Sequence, residues 1–148
     1  MTRKSRRRCR FDCHLAQTPT GAAKKRRAAA ELLAGHSPPH LTDAVYLAGY
    51  SVECILKAVL LAVTPESQRP AVVGEVCRGR KGHDFSHLTG LLQKRGISWS
   101  GPIQTALGTL NDWSTDLRYE TAEYDETDAR KFLSRVDLVL DWAEGKLS

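Results

Sequence analysis

Apolar side chains recur at steps of three and four along residues 41–63, LTDAVYLAGYSVECILKAVLLAV. Val45, Ala48, Gly49, Val52, Ile55, Leu56, Val59, Leu60 and Val63 share one stripe, the period of an α-helix and not of a strand. At 1.5 Å per residue the segment is roughly 35 Å long, enough for the spine of a small domain. Thr42 or Asp43 is placed to cap its start, and Pro65 to end it. Ala48, Gly49, Ser51 and Ala58 leave room for a second helix to come close. Tyr46, Tyr50, Glu53 and Lys57 fall on the opposite flank, with Glu53 and Lys57 at the favourable i,i+4 spacing. The length also suits a bilayer, but Asp43, Glu53 and Lys57 would each cost about 2.5–3.5 kcal/mol near its centre. The pattern therefore predicts a buried core helix.

The same period predicts the other elements. Residues 22–35 are rich in strong helix formers and stop at Gly35. HSPPH (36–40) is a stiff connector, with His36 and His40 as turn residues. Residues 64–82 hold two prolines, three glycines and four cations and read as a loop, its middle pinned by Val72, Val73 and Val76 as a short helix or strand. Residues 84–95 form a short helix capped by Asp84 or Ser86, with Phe85, Leu88, Leu91 and Leu92 facing inward. From Pro102 a helix carries Ile103, Ala106, Leu107, Leu110, Trp113 and Leu117 on one face and Asn111, Ser114 and Arg118 on another. After an acidic connector (120–126), a last helix starts at Thr127 and buries Ala129, Phe132, Leu133, Val136, Val139, Leu140 and Ala143. No segment alternates as a strand would. The expected fold is all-α, an antiparallel four-helix bundle with one additional short helix.

Composition changes this picture in one respect. The net charge of +5 is unevenly spread. Residues 1–27 carry ten Lys/Arg against one acid, a balance of +9, whereas residues 28–148 carry twelve against sixteen, a balance of −4. The basic character belongs to the N-terminal arm, so net charge alone does not make the folded body a nucleic-acid binder. Residues 1–21 lack an apolar period and are expected to form a disordered tail, ahead of a single domain over 22–148. Cys9, Cys13 and His14 lack a nearby fourth zinc ligand. Cys54, inside the spine, is expected to act as a small hydrophobe. Without a signal-like or second membrane-length segment, the expected compartment is the cytoplasm.

Three blocks in order, YLAGYSVECILKAVL, GHDFSHLTGLL and LNDWSTDLRYE, resemble the HEPN family over roughly residues 28–143. These are small all-helical prokaryotic domains linked to nucleotide and nucleic-acid systems. They include ribonucleases, toxins, antitoxin-paired subunits and non-catalytic scaffolds. The resemblance implies a homodimer; the charges along residues 41–63 and the incomplete ligand sets give no expectation of a membrane or a metal, and no cofactor is expected. The resemblance also implies association with RNA or a nucleotide and pairing with a nucleotidyltransferase or another defence protein.

Nucleolytic members of that family place a His four to six residues after an Arg. The His serves as acid or base on a ribose hydroxyl, and the Arg neutralises the phosphate. Arg118 matches the Arg position, but the residue six places on is Tyr124, and no His follows His87. A phenol with a pKa near 10 is a poor base at neutral pH. Arg78–His83 and Arg8–His14 have suitable spacings and Arg80–His87, at seven, falls just outside, but chance alone supplies about one such pair in a chain with five His and 14 Arg. His83 and His87 are four apart, a zinc-ligand spacing on a helix, although the HExxH pattern requires a Glu where Asp84 stands. The second candidate is a polar patch in which Glu53, with Tyr50 and Lys57, meets Arg118 and Asn111, either as an ion pair fixing helix register or as a nucleotide or RNA phosphate site. The catalytic candidates are thus Arg118, Tyr124, His83 and His87. Three readings follow: a binding or partner module, a metal-independent RNA-cleaving toxin with a non-standard site, and a helical interaction protein without nucleotide chemistry. The missing His favours the first and third, and the resemblance favours the first.

Overall fold

A computed structural model describes residues 18–148 and contains six α-helices: α1 (Thr18–Gly35), α2 (Leu41–Val63), α3 (Arg69–Val76), α4 (Phe85–Lys94), α5 (Gly101–Leu110) and α6 (Glu126–Leu147). Short 3-10 turns cover Glu66–Gln68, Arg80–His83 and Thr115–Tyr119. There is no strand among the described residues, so the all-α expectation holds.

The spine spans the predicted residues, and its stripe is the centre of the core. Val45, Val52, Ile55, Leu56, Val59 and Leu60 are essentially inaccessible. Among the described residues α2 is the helix long and apolar enough to cross a membrane, but 72% of its most apolar window is buried inside the protein. That is the signature of a core helix. α1 lies along α2 on small residues, with Ala23, Ala30 and Ala34 buried and the Ser51 hydroxyl donating to the Ala23 carbonyl at 2.6 Å. α6 packs on the same spine and on α5, and all seven of its predicted apolar positions are buried. Arg27 of α1 forks onto both oxygens of Asp137 at 2.6 and 2.9 Å, Lys24 meets Glu144 at 3.0 Å, and Arg130 meets Glu31 at 2.6 Å. The order of these pairs makes α1 and α6 antiparallel.

Several boundaries differ from expectation. α1 begins at Thr18, so residues 18–21, expected in the tail, are helical, while the rest of that tail and Cys9, Cys13 and His14 lie outside the described residues. The 64–82 stretch holds α3, with Val72 and Val76 buried as the helical alternative required. α5 stops at Leu110, so Trp113 and Leu117 do not extend its stripe. Asn111, Asp112 and Ser114 offer the backbone competing side-chain bonds, and Ser114 starts a new turn by accepting from the Asp116 amide at 3.1 Å. α6 is capped by Asp125 and not Thr127, the carboxylate accepting from the Thr127 and Asp128 amides.

Capping of the spine is long-range. Neither Thr42 nor Asp43 caps α2. Instead Glu123, in the acidic connector before α6, accepts from the Leu41 and Thr42 amides at 3.0 and 3.2 Å. A carboxylate there satisfies two orphan donors and meets the positive end of the helix dipole. Thr42 ties down the same connector, donating to the Ala122 carbonyl at 2.8 Å and accepting from the Tyr124 amide at 3.0 Å. At the far end of α2, Arg69 donates to the Leu61 and Thr64 carbonyls at 3.1 Å, a cation on the helix C-terminus.

Candidate functional site

The polar flank of α2 is covered by two short segments outside the α-helices, 80–83 and 111–119, and this cover creates the site. Gly49 admits the first contact. An alanine Cβ there would overlap the Trp113 indole, so Trp113 lies directly against the backbone of the spine, 4% exposed. Its ring stacks on Phe85 at 5.2 Å with 3° between planes, and its edge meets Tyr50 at 5.2 Å. The indole nitrogen is buried without a hydrogen-bond partner on the side facing α2. Tyr46 and Tyr50 pack edge to face with their hydroxyls 3.3 Å apart. Burial first, then the bond to Tyr46, pushes the Tyr50 phenol up to about 12.

One turn further along α2, Glu53 is buried although it is charged, 5% exposed. Both its oxygens are used. Lys57 donates to Oε1 at 2.7 Å, and Nδ1 of His83 lies 2.8 Å from Oε2. The expected i,i+4 pair is therefore present, and the third member comes from the 80–83 turn. Gly82 allows this approach, since a Cβ there would collide with the Val76 carbonyl. The neighbouring Cys54 thiol is pushed up, chiefly by burial and then by the Glu53 charge.

His83 also lines a groove of about 340 Å3 between the two covering segments. Arg80 and Lys81 stand beside it, Asn111, Ser114, Thr115 and Asp116 form the opposite wall, and Phe85 and Trp113 the floor. Asp84 borders the groove, but its carboxylate is committed to capping α4 through the Ser86 and His87 amides. Asn111 donates to the Ser86 hydroxyl at 2.7 Å. A larger, more open depression of about 570 Å3 along α6, past Arg130, Lys131 and Arg135, has no buried titratable group at its base.

The family model of the HEPN domain matches residues 20–146. The chain belongs to the HEPN domain family. Searches of the curated proteins and of the solved structures each find no match. Membership supports a nucleotide- or RNA-associated role in general terms.

Within this HEPN domain the predicted site residues do not form a single site. Glu53, Lys57, Tyr50 and His83 meet in one cluster. Arg118 does not join Glu53. Because α5 ends early, Arg118 sits in the Thr115–Tyr119 turn, fully exposed, its guanidinium 4.8 Å above the Tyr119 ring. Tyr124 is half-buried in the connector, and burial followed by the charges of Asp112, Asp128 and Glu120 raises its phenol further from neutrality. His83 and His87 do not share a face. His87 faces Glu75 of α3 at 3.1 Å, off-axis for a hydrogen bond, whereas His83 precedes α4 and turns to Glu53. Among the described residues no three His, Cys, Asp or Glu side chains gather as a metal site. Arg80, Lys81, Gly82 and Trp113 were not visible as site residues in the sequence. The available signal was the run RGRKGH, two glycines interleaved with cations just ahead of a capped helix.

Proposed function

We propose that this HEPN domain is a nucleotide- or RNA-associated binding and partner module of a prokaryotic toxin–antitoxin or defence system. In this reading it acts in the cytoplasm as a homodimer, pairs with a nucleotidyltransferase or similar protein, and does not cleave RNA through the usual Arg–His pair. One observation carries the reading. The only groups at the Arg and His positions are an exposed Arg118 stacked on Tyr119 and a Tyr124 whose phenol is held protonated by burial and three carboxylates. Neither is a proton acceptor at neutral pH.

The test incubates RNA with the purified chain in the presence of a chelator. The expected result is no cleavage. Cleavage by the wild type that disappears in Arg118→Ala would overturn the proposal. RNA association is expected to fall steeply with salt and to weaken when residues 1–17 are removed, since each neutralised phosphate releases counterions and residues 1–17 carry six Lys/Arg against one acid, whereas residues 18–148 balance sixteen Lys/Arg against sixteen Asp/Glu. The truncation must stop short of α1, where Ala23 is buried and Arg27 is bound to Asp137. A second reading, metal-independent cleavage from the 78–87 segment, is favoured by the carboxylate-held His83. Cleavage lost only in His83→Ala/His87→Ala would establish it.

A further inference from the structure

We infer that the groove in front of His83 is a phosphoryl-anion site, in which His83, Arg80 and Lys81 hold the phosphate of a nucleotide or of RNA. The inference rests on the nucleotide- or RNA-associated reading above and assigns that reading a place. Glu53 occupies Nδ1 of His83, which fixes the ring and leaves Nε2, across the imidazole, as the nitrogen available to a ligand. Lys57 already pairs with Glu53, so the Glu53 carboxylate does not offset the cations that line the groove. Arg80 and Lys81 line the same groove, are exposed, and have no ion-pair partner among the described residues.

Among the other titratable groups around His83, Tyr50, edge-on to the ring at 6.2 Å, is neutral, Asp84 accepts the Ser86 and His87 amides in the α4 cap, and Asp116 stands on the opposite wall. The two carboxylates match Arg80 and Lys81 in number, so the site selects by the placement of its donors and not by net charge. The Ser114 oxygen accepts from the Asp116 amide, which leaves its hydroxyl proton free to donate across the groove. The site is also held in place before any ligand arrives. Gly82 is seated on the Val76 carbonyl, and the clamp on Glu53 fixes the turn, which limits the ordering cost of binding. At about 340 Å3 the groove lies at the small end of ligand pockets, sized for a phosphoryl group and its sugar.

The experiment follows residue-resolved NMR spectra of the full chain as inorganic phosphate, adenosine monophosphate or a 5′-hydroxyl oligoribonucleotide is added. The expected result is movement of the Lys81 amide and of the His83 ring resonances. The probe that moves them distinguishes a free or monoester phosphate from an internal phosphodiester. His83→Gln and Lys81→Ala should each weaken that probe roughly tenfold, the scale of one charge-assisted hydrogen bond. Lys131→Ala on α6 should leave it unchanged, and the rest of each spectrum reports that the fold is intact. Binding that maps to Arg118 or residues 1–17, or that His83→Gln leaves unaltered, would overturn this site while the broader reading stands. Failure of all three probes to move any resonance would overturn both.

Discussion

Replacing Gly49 with alanine places a methyl group in the space occupied by the Trp113 indole. Two effects then compete. Alanine favours the helix interior by about 1 kcal/mol over glycine. Against that, overpacking a filled interior costs about 1–3 kcal/mol, and driving the indole out altogether costs about 3–5 kcal/mol. The flexible end of a side chain would yield cheaply, but Trp113 is pinned between Phe85, Tyr50 and the α2 backbone. The net loss is therefore expected at about 1–3 kcal/mol. For a domain of this size that lowers Tm by roughly 3–10 °C. Gly108 of α5 and Gly90 of α4 provide the contrast, because a Cβ at either meets nothing within 4 Å. There the propensity gain acts alone, and Gly108→Ala should raise Tm by a few degrees. Thermal unfolding followed by circular dichroism, with tryptophan fluorescence reporting exposure of the indole, measures both. A Gly49→Ala protein as stable as the wild type, with unchanged fluorescence, would refute the argument that this contact sets the floor of the groove.

Glu123→Ala should destabilise the domain by about 1–2 kcal/mol, read from the urea midpoint, because two amide groups of the first turn of α2 lose their acceptor. Glu31 gives a pH dependence. Arg130, and then Arg27, hold its carboxyl below the usual range, so its stabilisation is present above the unfolded-state carboxylate pKa and is lost as pH falls through the lower folded-state value. Glu31 is half exposed, so the gap between wild type and Glu31→Gln should be only a few tenths of a kcal/mol at pH 7 and should close below about pH 4. A gap that widens in acid would show that the pairs with Arg27 and Arg130 do not stabilise the fold.

What the sequence revealed depended on whether a residue's role is set by its neighbours in the chain. The apolar stripes of α2 and α6 are local periodicities, and both helices bury the residues that their spacing selects, except Val63 at the end of α2, which is half-buried. Asp84 is a local cap and lies where the pattern put it. The i,i+4 geometry likewise made the Glu53–Lys57 pair legible. The third partner of Glu53 was not, because His83 stands 30 residues away and reaches it through Gly82, whose seat on Val76 leaves no trace in helical spacing. The end of α5 was misplaced because Trp113 and Leu117 continue its period, although Asn111 and Asp112 carry breaking chemistry. With the helix over at Leu110, the face that would have aligned Asn111, Ser114 and Arg118 does not exist, and the expected meeting of Arg118 with Glu53 goes with it.

The carboxylate of Glu123 links two stretches of chain 82 residues apart and makes them open together. The Leu41 and Thr42 amides can resist hydrogen exchange only while the 120–126 connector is docked. A fluctuation that releases the connector therefore exposes the first turn of the spine at the same moment, and the two should exchange with one common opening free energy. A protein that captured the connector would be felt at the start of α2, and a contact that held α2 rigid would in turn tighten the connector. The acidic loop and the spine helix thus behave as one cooperative unit, although the whole of α3, α4 and α5 lies between them in the chain.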